Sequence, residues 1–298
     1  MLNKFLNNIV NADCLKVLKQ IPDNSIDMTF ADPPFNLKKK YNHYEDSKEK
    51  QDYLNWCNKW LGEMVRVTKL SGTIFIHNIP HWLSYFAEYL NKVTYFKHWI
   101  VWDSGGAPLG KTLLPNHYGI LYYTKSKPYK DFKFFDIRSP HLKCRVCKEF
   151  LKDYGGKRRQ AHSFGPLLSD VWNDIHRIKH KKRRDRHPCQ LPIPLLERLI
   201  LMTTDENDIV LDPFIGTGTT AVAAKKLGRK YIGIEQDEEY VKIAIKNIKN
   251  AKQTKINNCF VSIYLGQIKT IRDKDFKLIS STIDPEKNLT DQITIKNI

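Results

Sequence analysis

Asp32-Pro33-Pro34-Phe35 follows an apolar run, Ser25 to Ala31, that reads as a buried strand. An acid where a strand stops, with the backbone locked behind it, makes a rigid hydrogen-bond acceptor. Prolines have no N–H, so their carbonyls stand without competing donors and their φ angles are fixed. Phe35 adds an aromatic face beside those acceptors. A second constellation lies in the other half of the chain. Asp212-Pro213-Phe214-Ile215-Gly216-Thr217-Gly218 joins a strand to a helix, and the next strand, "KYIGIE", ends on Glu235, 19 residues after Gly216. Glycines let a backbone approach a ligand closely, and an acid at the end of the following strand sits where ribose hydroxyls are held. Gly216, Gly218 and Ala221 also satisfy the dinucleotide fingerprint. Alone, the turn leaves open a nicotinamide cofactor or simple helix-on-strand packing.

The elements that must position these groups alternate. A short helix over Cys14 to Lys19 precedes the Ser25–Ala31 strand. A helix follows with Leu54, Leu61, Met64 and Val65 at helical spacing, then the strand "GTIFIHN", the helix "HWLSYFAEYLNKV" and the strand "FKHWIVWD". Strand–helix alternation predicts an α/β fold with a mostly parallel sheet and helices on both faces. From Ser104 to Arg186 the rhythm gives way to Gly-Gly pairs, "CRVC" and basic runs, which predicts an inserted region. Regularity resumes with "PIPLLERLILMTT", a helix opened by prolines, the glycine turn, a helix stopped by Gly228 and an amphipathic helix with acids in its first turn. The expected organisation is therefore 1–103 as one half of a catalytic domain, 104–186 as the insert, 187–250 as the other half and 251–298 as an extension, with a strand at "CFVSIYL".

The chain of 298 residues carries 49 Lys and Arg against 32 Asp and Glu, a formal charge of +17. Such an excess points to a polyanionic partner. It is also local: Lys157, Arg158 and Arg159 form one run, and Arg177, Lys179, Lys181, Lys182, Arg183, Arg184 and Arg186 fall within ten residues. Arginine suits bidentate phosphate contacts. No run of 18 or more apolar residues and no signal-peptide pattern is present, and six cysteines show no disulfide framework, so a soluble, cytoplasmic chain without a membrane partner is expected.

Together, Asp32-Pro33-Pro34-Phe35 and Phe214-Ile215-Gly216-Thr217-Gly218 resemble the motifs of the S-adenosylmethionine-dependent DNA amino-methyltransferases. Their order, with a basic insert between, is similar to that of the permuted β group, over residues 7 to 250. The resemblance implies a Rossmann-like methyltransferase fold with an inserted target-recognition region and S-adenosyl-L-methionine as cofactor. It implies that the Asp32 loop holds a base flipped out of duplex DNA, and that Asp212, Phe214, Gly216, Thr217, Gly218, Thr219 and Thr220 surround the cofactor. Glu235 would take the ribose hydroxyls, and Ala12 and Asp13 of "NADCL" would meet the adenine. An aspartate rather than a serine before the prolines implies adenine N6 over cytosine N4. One departure is Leu191, where the family commonly has a lysine able to pair with the methionine carboxylate.

Several strings compete with this reading. "PCQ" at Pro188 to Gln190 imitates the nucleophile of cytosine C5 enzymes, but it precedes the cofactor turn and lacks a Glu-Asn-Val partner. Cys144 and Cys147 have zinc-ligand spacing without a second pair, and no metal is expected. Rival functions are an RNA methyltransferase, a nicotinamide-dependent oxidoreductase, and a catalytically idle DNA-binding protein that kept the fold. The expected partners are double-stranded DNA, a cognate restriction endonuclease and a second copy of the chain. Lys157, Arg158, Arg159, Lys181, Lys182, Arg183, Arg184 and Arg186 are the expected DNA contacts, with Tyr41 and Tyr44 in a charged loop beside the base. Replacing Arg183 and Arg184 together by glutamine should flatten the slope of log affinity against log salt for duplex DNA by about one to two units. Fluorescence anisotropy over a salt series measures this, and an unchanged slope would leave both arginines as solvated surface.

Overall fold

The strand that leads into Asp32, β2 (Ile26–Ala31), is buried at all six positions, as a central strand covered on both faces must be. The computed structural model describes residues 2–37, 46–105, 113–127, 132–139, 147, 149, 156, 166–178 and 190–252, with the backbone of three short strands beyond 260. Its contacts divide into two compact units, Met1–Lys133 with Asp170–Gln253, and Phe134–Ser169 with Thr254–Ile298.

In chain order the elements begin β1 (Asn8–Asn11), α1 (Cys14–Leu18), β2, α2 (Lys50–Val67), β3 (Thr68–Asn78), α3 (Pro80–Leu90), β4 (Tyr95–Asp103) and β5 (His117–Thr124). They continue with β6 (Ile137–Arg138), β7 (Val171–Trp172), α4 (Ile193–Thr203), β8 (Ile209–Asp212), α5 (Thr219–Lys226), β9 (Lys230–Glu235) and α6 (Glu238–Asn250). The first unit holds an eight-stranded sheet in the order β1-β9-β8-β2-β3-β5-β4-β7. Its strands run parallel to their neighbours except β5, which is antiparallel to β3 and to β4. The chain order reverses between β8 and β2, which makes the carboxyl ends of that pair a natural crevice.

Two predicted boundaries shift. β5 and β7 lie inside 104–186, yet both pair within the main sheet, so Ser104 is too early a start for an insert. The reason is geometric: β5 returns antiparallel beside β3 without a crossover helix, so it carries none of the strand–helix rhythm that marks the rest. The predicted extension and part of the predicted insert form the second unit together. There β6 pairs antiparallel with β12 (Ile271–Arg272), and β10 (Ile263–Tyr264) pairs with β11 (Gln267–Ile268), overlapping the predicted "CFVSIYL" strand.

The helices follow their sequences. α2 buries Tyr53, Cys57, Trp60, Leu61 and Met64 on one stripe, while Leu54 and Val65 are only partly buried. α3 starts on Pro80, whose missing N–H costs nothing at a helix start. Asp237 caps α6 by accepting from the Glu239 and Tyr240 N–H groups at 2.9 and 3.2 Å. On α4, Arg198 is fully buried; it makes two hydrogen bonds to Asp174, at 3.0 and 2.5 Å, and lies over the Trp172 ring.

Gly218 closes the turn before α5 at φ +90°, and a Cβ placed there would stand 2.9 Å from the Ala244 Cβ on α6. Both the left-handed backbone and the close approach exclude a side chain. Gly218→Ala should lower the unfolding free energy by roughly 1–3 kcal/mol. Urea titration should show the midpoint falling at constant m; an unchanged midpoint would mean that α5 and α6 separate without cost.

Candidate active site

Parallel register sets four acids along one edge of the sheet. Asn11 of β1 pairs with Glu235 of β9, and Asp212 of β8 pairs with Gly233 of β9. β2 runs parallel beside β8, with Thr29 opposite Leu211. Asp13, Glu235, Asp212 and Asp32 therefore stand at or just beyond the carboxyl ends of four adjacent parallel strands. All four line one cavity of about 450 Å³, within the range of roughly 300–1,000 Å³ that small-molecule sites occupy. Ala12, Pro33, Pro34, Phe35, Phe214, Gly216, Thr217, Thr219 and Thr220 line it too. Both sequence motifs thus meet in one space. Gly218 is not among the lining residues and serves the turn and the α6 contact instead.

The Asp32 loop is held by its carbonyls. Tyr53 on α2 donates its hydroxyl to the Pro34 carbonyl at 2.5 Å, and Trp82 on α3 donates its indole N–H to the Phe35 carbonyl at 2.6 Å. Among the described residues nothing donates to the Pro33 carbonyl. Downstream, buried Asp46 accepts from the Asn36 and Leu37 N–H groups at 2.7 and 2.9 Å. Asn36, at φ 54°, exchanges two hydrogen bonds with the Lys48 backbone at 2.8 and 2.7 Å. The Phe35 ring packs 5.7 Å from His77 and 6.0 Å from Tyr118, with little of its face open to solvent.

On the other side, Phe214 stands edge-on to Trp56 and Trp60, with centroids 5.5 and 5.2 Å apart. Trp56 also lines the cavity, a role its helical spacing did not reveal. The Glu235 carboxylate accepts from the Gly216 N–H at 3.0 Å through one oxygen and from the Asp237 N–H at 2.9 Å through the other. The 19-residue spacing from Gly216 is thus bridged by a direct hydrogen bond that fixes the glycine turn against β9, and a carboxylate with about four lone-pair sites keeps acceptor capacity beyond these donors. Asp13 caps α1 by accepting from the Lys16 N–H at 3.1 Å. Leu191 is buried in the cavity wall, and among the described lining residues the one cationic side chain is Lys48.

Burial raises the Glu235 carboxyl above its ordinary range. Burial likewise pushes Asp212 up to about 7, with Asp32 and Glu235 adding to it, against hydrogen bonds from the Thr220 hydroxyl at 2.6 Å and the Phe214 N–H at 2.9 Å. An apolar-walled cavity rimmed by carboxylates favours a ligand that brings positive charge.

The expected DNA contacts Lys157, Arg158, Arg159, Lys181, Lys182, Arg183, Arg184 and Arg186 lie outside the described residues, as do Tyr41, Tyr44, Cys144 and Cys189. Cys147 is an exposed free thiol. Among the described residues no helix is long and apolar enough to cross a membrane.

A family profile described as DNA methylase matches residues 26–246, which takes in both motifs and the cavity between them. The chain belongs to the DNA methylase family. It is 40% identical to the type II methyltransferase M.BamHI of Bacillus amyloliquefaciens over 275 residues, 91% of this chain and 64% of that protein. The chain thus spans just under two thirds of that relative's length. It is 35% identical to the type II methyltransferase M.HpaI of Haemophilus parainfluenzae, over 79% of this chain and 72% of that one. The DNA adenine methyltransferase YhdJ of Escherichia coli (strain K12) is 32% identical over 80% of this chain and 82% of its own length. Among solved structures, the M1.HpyAVI–SAM complex superposes with a TM-score of 0.55 at 24% identity, covering 81% of this chain and 98% of that one. The cytosine-N4-specific PvuII DNA methyltransferase gives 0.59 at 18% identity, covering 84% and 88%. At these identities the likeness establishes the fold, which is the Rossmann-like methyltransferase fold.

Asp212 gives the site a pH signature. Its carboxyl titrates higher in the folded chain than the ordinary 3.8. Between these values the native state holds a proton that the unfolded chain has lost, so its contribution to stability is full below about pH 4 and disappears as pH rises through about 7. Asp212→Asn should therefore gain stability relative to the native chain as pH rises from 4.5 to 7.5, by urea titration at each pH. A difference constant across that window would contradict the burial assignment.

Proposed function

We propose that the chain is a site-specific DNA methyltransferase that transfers a methyl group from S-adenosyl-L-methionine to the N6 amino group of adenine in duplex DNA. The observation that carries this reading is the single cavity that joins the Asp32 loop to the glycine turn. The cofactor supplies an electrophilic methyl group on a sulfonium. Phe214 and Trp56 offer its adenine ring an aromatic wall, and the remaining acceptor capacity of Glu235 takes its ribose hydroxyls. Thr217, Thr219 and Thr220 face its methionine end, with Lys48 the cation at hand for a carboxylate. The acidic rim suits a cationic ligand inside a chain that is otherwise strongly basic.

An exocyclic amino nitrogen is a poor nucleophile because its lone pair is delocalised into the ring. Asp32 accepts one of its hydrogens and the undonated Pro33 carbonyl accepts the other. That pairing favours a tetrahedral nitrogen with its lone pair directed at the methyl carbon. Because Tyr53 and Trp82 hold the neighbouring carbonyls, the acceptors need no reorganisation when the base arrives, so catalysis is largely positioning and electrostatics. The base reaches them by leaving the duplex stack, beside Phe35. Asp32 in place of a serine supports adenine over cytosine N4. The basic runs at Lys157–Arg159 and Lys181–Arg186 supply phosphate contacts, and a cognate endonuclease is the expected companion of a type II relative.

Asp32→Ala should abolish transfer of labelled methyl groups to duplex DNA while leaving cofactor affinity, measured by calorimetry, within a few-fold of the native value. Undiminished transfer would overturn the assignment of Asp32, and loss of cofactor binding as well would mean that Asp32 serves the cofactor instead of the base.

A further inference from the structure

His77 lies next to Asp32 by register. β2 and β3 run parallel with Ala31 opposite Ile76 as their last pair, and Asp32 and His77 are the residues that follow each of these. Side chains of paired residues on neighbouring strands share a face. The His77 Nδ1 stands 2.8 Å from the Asp32 Oδ1. His77 is 2% exposed and Asp32 14%. Around the imidazole stand Phe35, Tyr118 and Trp102, with ring centroids 5.7, 5.2 and 5.7 Å away. Its Nε2 is buried and has no hydrogen-bond partner among the described residues.

We infer that His77 is a positioning residue for the transfer, donating its Nδ1–H to Asp32 Oδ1 so that the other carboxylate oxygen is presented to the base. This deepens the proposed function and rests on it. A carboxylate oxygen only accepts, so the ring nitrogen facing it must carry the proton. The lone Nε2 is tolerable as a bare acceptor in an aromatic box, though leaving it unpaired still costs free energy. A histidine present only to fill space would gain by satisfying both nitrogens or by being replaced with an apolar side chain. Here one nitrogen goes to Asp32 and the other meets no partner among the described residues.

The aromatic box also removes competition from water. In a site of low polarity a hydrogen bond to a carboxylate is stronger than in solvent and holds its geometry more tightly. Among the described residues no group donates to Asp32 Oδ2, and Asp32 lines the cavity, so this is the oxygen left for an amino group. The base therefore meets a carboxylate whose rotation is already stopped from β3. His77 itself does not line the cavity and touches no reacting atom, which separates its role from that of Asp32.

Two measurements test the assignment. Two-bond nitrogen–proton NMR correlations on histidine-labelled protein should place the His77 proton on Nδ1, and Asp32→Ala should change that signature. A bare Nδ1 in the native chain would overturn the inference. This arm needs no methyl transfer, so it separates failure of the pairing from failure of the functional reading. In the second arm, His77→Leu should lower kcat by about 10- to 100-fold, with cofactor affinity and KM for DNA within about threefold. His77→Asn, which returns a donor near the Nδ1 position, should recover most of the loss. Turnover of His77→Leu within twofold of native, or equal losses in His77→Leu and His77→Asn, would overturn it. If the leucine variant fails to bind cofactor, His77→Gln, too long to place its donor there, replaces it with the same expectations.

Discussion

Four acids from four neighbouring parallel strands share one sheet edge, and the rest of the site is arranged around that constraint. Strand register is the cause: once β1, β9, β8 and β2 pair in parallel, Asp13, Glu235, Asp212 and Asp32 must emerge together. Crowded carboxylates with little water are unfavourable, and the rise of Asp212 to about 7 records it. Backbone N–H groups and hydroxyls offset the cost. Gly216 and Asp237 donate to Glu235, Phe214 and Thr220 donate to Asp212, and Lys16 donates to Asp13. Only Asp32 leans on a side chain from the next strand.

The two halves of the cavity are stiffened by opposite means. On the glycine side the chain gives up side chains, so that Gly216 can lie against Glu235 and Gly218 against α6. On the proline side it gives up donors, leaving carbonyls for Tyr53 and Trp82 to hold. Both devices spend conformational freedom before a ligand arrives, which is what a reaction governed by positioning needs.

What the sequence made legible was local. The Asp32 loop, the glycine turn and the strand ending on Glu235 are short motifs whose residue types carry their own conformational meaning, and they lie where they were expected. So do the helices, α2 and α6 marked by an apolar stripe, α4 by its opening prolines and α5 by the glycine that stops it. β5 was hidden because an antiparallel return leaves no strand–helix rhythm, and its absence shifted the apparent insert boundary. β1, only four residues long, gave too little pattern to read. Trp56 and His77 were missed for a different reason. Their roles depend on which strand or helix lies beside the motif, 45 residues from Asp32 in the case of His77, and no local pattern encodes such a neighbour.

The most direct test of the central claim is chemical. Purified protein is incubated with unmethylated duplex DNA and methyl-labelled S-adenosyl-L-methionine, the DNA is digested to nucleosides, and the labelled product is identified by mass spectrometry. The account predicts label in N6-methyladenine alone. Label in N4-methylcytosine would keep the shared cavity and contradict the base assignment, and absence of label from DNA despite cofactor binding would contradict the proposed reaction itself.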